Sequence, residues 1–363
     1  MKMPSVILLK PNRVRRSYLG GRTLDELENK DICEDSYYPE DWIASGARAL
    51  NDNVKEGEEN AGLSEIDLNG SKILFDRFLE EYAEDALGKE HLKIYGRKNP
   101  ILQKLLDSAV RLHFQVHPDI SFAKEHLNSE YGKAEAYLIF GIRGEIKEPY
   151  IYLGFQRAPS REEFKRLILE QDIDGIEKLF DKIPVKRGDA LFIPGGLPHA
   201  IGEGIMMLET MEPTDFTFLP EFIRDGVALS EKKRYMGLDI EKCLDAVDYN
   251  SYSVEDIRKK FMFAPKNVES NGDYCIDEVF PSTIVPFNVF RINVFNGYEE
   301  LPPNIRWSVN VIAGGEGKIS CDSGEFPLKR GSKFLLPVSS RGYKIEKLSQ
   351  EPLEIIRTFP PGL

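Results

Sequence analysis

Gly188-Asp189-Ala190-Leu191-Phe192-Ile193-Pro194-Gly195-Gly196-Leu197-Pro198-His199 is the stretch on which the fold turns. A glycine leads into a short apolar run of strand character, a proline-glycine pair closes a tight turn at its end, and a histidine follows. Upstream, Leu112-His113-Phe114-Gln115-Val116-His117-Pro118-Asp119 alternates polar and apolar residues. Side chains two apart on a strand share a face, so His113, Gln115 and His117 are expected to look the same way. A third run, Lys133-Ala134-Glu135-Ala136-Tyr137-Leu138-Ile139-Phe140, offers Glu135. An isolated histidine on a strand is ordinarily a hydrogen-bonded core or surface residue. Here two imidazole nitrogens, His117 and His199, and up to two oxygens, Gln115 and Glu135, can form a four-point cage for one divalent cation. That donor mixture suits Zn2+, with Mn2+ or Fe2+ as alternatives.

The Gly-x5-Pro-x-Gly-x2-His string resembles the second sequence motif of the cupin barrels. A narrower likeness covers nearly the whole chain and is strongest from about residue 99 to 215. Pro100 to Asp107, running into Arg111 to Asp119, is similar to the Leu-x-Lys-x-Leu-Asp and Gln-Val-His-Pro-Asp signature of the type I phosphomannose isomerases. Gly132-Lys133-Ala134-Glu135 resembles their Gly-Lys-x-Glu, and Pro198 to Gly204 their His-Ala-Ile-Gly-x-Gly. Weaker matches fall at Tyr18 to Leu24, at Pro39 to Trp42 and from Glu209 to Asp215.

The resemblance implies one zinc held by Gln115, His117, Glu135 and His199. It also implies isomerisation of mannose 6-phosphate and fructose 6-phosphate through a cis-enediol. Such chemistry requires an electrophile for the sugar oxygens, a proton carrier and an anchor for the phosphate. Lys133, two residues before Glu135, is expected to reach the sugar, with base and hydrogen-bond donor both open. Glu209 falls on a family acidic position, to orient a ligand or to move a proton.

Two departures stand out. Where the family places an arginine facing the substrate, this chain reads Asp215-Phe216-Thr217-Phe218-Leu219, and Arg224 is the nearest substitute. Where the family carries a small hydroxyl, it has His113, an imidazole that can contact substrate or transfer a proton. Leu219 keeps two other readings in view: a cupin isomerase of altered substrate range, and a non-catalytic sugar-binding or regulatory protein.

The expected architecture is mainly β, with two cupin-like (jelly-roll) barrels and helical insertions: residues 1-265 carrying the metal, and 266-363 forming a second, metal-free barrel. The Gly-x5-Pro skeleton recurs from Gly331, but Ser339 and Gly342 stand where glycine and histidine are needed, and no histidine follows His199. Helical spacing is read at Ile73 to Leu87, Pro100 to Ala109, Ser121 to His126, Ser160 to Phe180 and Ser253 to Phe263. Gly314-Gly315-Glu316-Gly317 is read as a hairpin turn, since it lacks the Lys-Ser/Thr and helix of a phosphate loop.

At 363 residues and net charge −12, the chain has core enough for two or three domains. It lacks the basic balance expected for binding nucleic acid or anionic membranes. A sugar phosphate would need a local cationic pocket. Cys33, Cys243, Cys275 and Cys321 have neither metal nor secretory spacing, and Val6 to Leu9 is too short for a signal segment. A cytoplasmic enzyme with free thiols is the expectation. Oligomeric state is not legible.

Overall fold

In the computed structural model the described residues are 3–362, apart from 53, 69, 225 and 304. They form a mainly β protein of antiparallel sheets stacked in layers. The sheet that carries the site has seven strands, in the order Met262–Phe263, Ala190–Ile193, Glu135–Ile142, Ile205–Met211, Leu102–Asp107, Glu40–Ile43 and Arg13–Val14. Both of its faces are covered. Leu105, Leu138 and Leu208 pack against Val309, Val311 and Ile356 of a nine-stranded sheet. Their neighbours Leu106, Tyr137 and Met207 point the other way, onto Ile151, Leu153 and Ile201 of a three-stranded sheet made of His199–Ile201, Tyr150–Leu153 and Ile183–Pro184. Alternation along each strand thus feeds two cores at once.

This double burial explains an element read wrongly. Pro100 to Ala109 was expected to be helical, yet Leu102–Asp107 is a strand with all six residues buried, paired to Ile205–Met211 on one side and Glu40–Ile43 on the other. A strand buried on both faces loses its polar-apolar alternation, and its run of leucines then mimics helical spacing. Conversely, Leu112 to His117 is extended but forms no ladder. Among the described residues its β-bridges are Gln115 to His199 and Val116 to Phe218, and the Leu112 N–H adds a hydrogen bond to the Ile201 carbonyl at 2.9 Å.

The nine-stranded sheet joins Lys266–Ser270, Tyr274–Glu278, Asn288–Val294, Leu353–Phe359, Ser308–Gly314 and Lys333–Leu336 to three strands from the start of the chain, Ile7–Leu9, Glu65–Leu68 and Ser71–Leu74. The pairing of Ile7 with Leu335 therefore crosses the boundary expected at residue 265. A four-stranded sheet, including Glu316–Cys321 and Gly324–Lys329, covers its far face through Ile319, Leu328 and Ile345. The expected hairpin at Gly314 to Gly317 is instead a corner between these two sheets. Gly315, at φ +74°, is required there because a Cβ would lie 2.4 Å from the Pro352 carbonyl oxygen.

Helices Arg161–Glu170, Ile173–Glu177 and Ile240–Asp245 pack Phe164, Ile168, Ile176 and Leu244 around Phe114 and Phe218, beside the site segment. The first opens with the Ser160 hydroxyl accepting from the Glu163 N–H at 3.1 Å. Among the described residues, no helix is long and apolar enough to cross a membrane.

Candidate metal centre and pocket

Two of the four expected ligands sit where a strand begins, and Gln115 and His117 lie on the extended segment beside them. Glu135 opens strand Glu135–Ile142, and His199 opens His199–Ile201. The turn between strand Ala190–Ile193 and His199 lies on the Gln115 to Asp119 segment, where the Gly196 N–H donates to the His117 carbonyl at 2.7 Å. At Gly195 a Cβ would stand 2.6 Å from the Asp119 Cα, so this glycine lets the turn dock. Gln115 and His199 then exchange two backbone hydrogen bonds of 3.0 Å, which puts their side chains on one side.

The result is a buried triad. Among the described residues, His117, Glu135 and His199 form a group whose donor atoms all lie within 4.8 Å of one another. His117 Nε2 is 3.0 Å from Glu135 Oε1, and His199 Nε2 is 3.5 Å from Glu135 Oε2. Each imidazole is oriented from behind. His117 Nδ1 bonds the Phe216 carbonyl and His199 Nδ1 the Leu197 carbonyl, both at 2.9 Å. An Nδ1–H donated to a carbonyl leaves an Nε2 lone pair directed inward, the tautomer a metal ligand needs. Among the described residues, His199 Nε2 is buried without a hydrogen-bond partner. An orphaned imidazole nitrogen beside a carboxylate is costly in a closed protein interior, and a cation at this point relieves it. The donor set therefore fits Zn2+.

Electrostatics agree. Burial, reinforced by the charge of Lys133, pushes the His117 imidazolium down to about 3, so the ring is neutral. Burial works against ionisation of Glu135, but the Lys133 ammonium beside it offsets this and the carboxyl lies well below the usual range. The Tyr137 hydroxyl also donates to Glu135 Oε2. Glu209, on the adjacent strand Ile205–Met211, moves the opposite way: burial and the nearby Glu135 charge raise it well above an ordinary carboxyl. Two neighbouring buried carboxylates cannot both ionise cheaply. Lys104 Nζ lies 3.1 Å from Glu209 Oε1.

Lys133 is brought fully into the site. Its Nζ is 3.3 Å from Glu135 Oε1, 3.4 Å from His117 Nε2 and 3.3 Å from Thr217 Oγ1, with 3% of the residue exposed. Thr217 and Gln115 belong to the wall of a cavity of about 750 Å3, also lined by Arg16, Tyr18, His113, Leu219, Arg224 and Lys233. The metal centre thus lies behind the wall of this pocket.

The remaining expected residues fare differently. His113 lines the pocket, but both ring nitrogens are buried without partners among the described residues, and burial together with Arg224 lowers it to about 4. Arg224 reaches the pocket wall yet is committed, donating to the Arg111 carbonyl at 2.6 Å and to Glu221 Oε1 at 2.7 Å. Leu219 is a buried apolar part of the same wall. Sequence reasoning missed Arg16 and Lys233. Arg16 donates through both Nη atoms to Asp215 at 2.9 Å, and its Nε lies 3.3 Å from Glu40 Oε1. The available signal for Arg16 was its position two residues before the Tyr18 match; Lys233 had none.

The chain is 27% identical over 282 residues to the mannose-6-phosphate isomerase of Streptococcus mutans, an alignment covering 77% of this chain and 82% of that protein. It is 25% identical over 284 residues to mannose-6-phosphate isomerase ManA of Bacillus subtilis, covering 77% and 83%. The crystal structure of mannose 6-phosphate isomerase from Bacillus subtilis shares the fold at a TM-score of 0.73 and 21% identity, covering 98% of this chain and 99% of that one. A zinc-bound mannose 6-phosphate isomerase does so at 0.69 and 17%, covering 98% and 100%. No protein-family model matches the chain.

Proposed function

We propose that this chain, similar in sequence to mannose-6-phosphate isomerases over about three quarters of its length, is a zinc-dependent aldose-ketose isomerase interconverting mannose 6-phosphate and fructose 6-phosphate. The observation that carries the reading is the buried His117, Glu135 and His199 triad with Lys133 Nζ against it. Zinc would be held by these three side chains and by Gln115, which faces His199 across the bridge. When bound, the ion supplies a Lewis acid that stabilises negative charge developing on the sugar's O1 and O2.

The chain's own groups do the rest. Lys133 hydrogen-bonds the sugar oxygens and carries a proton during transfer between C2 and C1 through a cis-enediol. Glu209 stands behind the site on the adjacent strand, with Lys104 Nζ 3.1 Å from its Oε1. His113 and Arg224 form the wall, the imidazole neutral and the guanidinium bound to Glu221. In this reading the seven- and three-stranded layers make the metal-bearing cupin-like barrel, and the nine- and four-stranded layers a second, metal-free one.

Leu219 favours a second reading. With an apolar side chain where the family motif has arginine, and a cavity of about 750 Å3, the pocket suits an altered sugar range. A panel of mannose 6-phosphate, mannose and other hexose 6-phosphates, run on zinc-loaded protein, separates the two. Dominant turnover of mannose 6-phosphate supports the first reading. Preference for another sugar supports the second, and turnover of none overturns both.

A further inference from the structure

Asp215 is the hub of the charge lining the pocket. Both its carboxylate oxygens accept from Arg16, and Oδ2 also accepts the Leu50 N–H at 2.8 Å. Arg16 in turn is shared with Glu40, whose other oxygen faces Lys104 at 3.7 Å. Asp215 thus already takes three hydrogen bonds, two of them from a guanidinium. Lys233, from the short helix Glu231–Arg234, is a further cation beside this pair. Its Nζ comes no nearer to Asp215 Oδ2 than 3.7 Å, beyond hydrogen-bond length, while its side chain is only 13% exposed and lines the cavity.

A largely buried ammonium whose nominal partner is already satisfied has an energetic need for an anion. Burial lowers Lys233 to about 8 although Asp215 pulls the other way, as expected for a cation without adequate neutralisation. Its place suits the far end of a sugar. Asp215 lies two residues from Thr217, which touches Lys133 at the metal centre, and two residues of chain span at most about 7 Å. That separation is on the scale of a hexose between its carbonyl end and its C6 oxygen.

From this geometry we infer that Lys233 anchors the phosphate of the substrate, giving this chain a phosphate subsite built on the Arg16–Asp215 pair rather than on position 219. The inference rests on the isomerase reading for the identity of the sugar, but the subsite itself needs only a phosphorylated polyol. Lysine serves as a point charge here, and phosphate binding does not demand the fork of a guanidinium.

The test is calorimetric binding of glucitol 6-phosphate, which has no carbonyl and cannot react, to the zinc-loaded full chain. Lys233→Met is expected to weaken binding at least about tenfold, the loss typical of one charge-assisted hydrogen bond. Lys233→Arg restores it to within about threefold. Metal content and melting temperature of each variant control for folding. Equal affinity of Lys233→Met and the unaltered protein, or no binding by the unaltered protein, overturns the assignment. Lys233-dependent binding by a protein that isomerises no sugar would sink the isomerase reading and leave the subsite standing.

Discussion

Asp215 is 3% exposed and holds a largely buried arginine in place, so its replacement by asparagine leaves the Arg16 guanidinium with Glu40 as its charged partner. Breaking such a pair costs about 3 kcal/mol, and urea unfolding of Asp215→Asn should show a loss of that order at neutral pH. The sign with pH follows from the direction of its shift. Burial raises the carboxyl, but Arg16 and Lys233 outweigh it and set it well below the ordinary value. Its stabilisation is therefore complete above the unfolded pKa near about 3.9 and is lost as pH falls through the lower folded value. The asparagine variant should lack that part of the acid dependence. At the metal centre, Lys133→Met should retain zinc yet lose at least about a hundredfold in kcat, the scale of a missing proton carrier, read by an enzyme-linked assay. Unchanged kcat would remove Lys133 from the mechanism. At this scale the candidate ligands were legible as candidates because they sit on short local patterns: a Gln-x-His pair, a Gly-Lys-x-Glu run and a histidine closing a Pro-Gly turn. Arg16 and Lys233 were not, because their significance is a contact with Asp215, 199 residues away in the first case.

Among the elements, the turn from Pro194 to Pro198 governs the site. Gly195→Ala would drive a Cβ to within 2.6 Å of the Asp119 backbone, so the turn must lift and carry His199 with it. Displacing a ligand in this way should cost at least the roughly 10- to 100-fold in zinc affinity seen when a supporting partner is lost, measurable by competition with a chromogenic chelator. Affinity equal to that of the unaltered protein would show that His199 is positioned by something else. The turn was legible because glycine and proline announce their own backbone requirements. Leu102–Asp107 was not. A strand buried on both faces displays no alternation, and Gln103, Lys104 and Asp107 find their partners only in other strands and segments: Lys104 in Glu209 and Glu40, Asp107 in Arg143.

Across the whole molecule, the start of the chain is woven into its end. Ile7–Leu9 pairs with Lys333–Leu336, and the largest apolar cluster draws residues from both halves, among them Ile7, Leu138, Val309 and Ile356. A cut at 265 would leave 266-363 with an unpaired edge at Lys333–Leu336 and an uncovered apolar face. That fragment should fail to fold alone and should recover β-sheet circular dichroism only when mixed with 1-265. A cooperative melt of the isolated fragment would contradict this. Composition and turn spacing were enough to indicate a mainly β protein, but no local signal announces a pairing between residues more than 300 positions apart.

The account as a whole rests on the triad of His117, Glu135 and His199 being a zinc site that supports sugar-phosphate isomerisation. The direct measurement is titration of chelated protein with zinc while conversion of mannose 6-phosphate to fructose 6-phosphate is followed. Activity should be absent without metal, rise linearly and level off at about one equivalent per chain, as one closed ligand set requires. Full turnover by metal-free protein, or a zinc-saturated chain that leaves mannose 6-phosphate untouched, would contradict it.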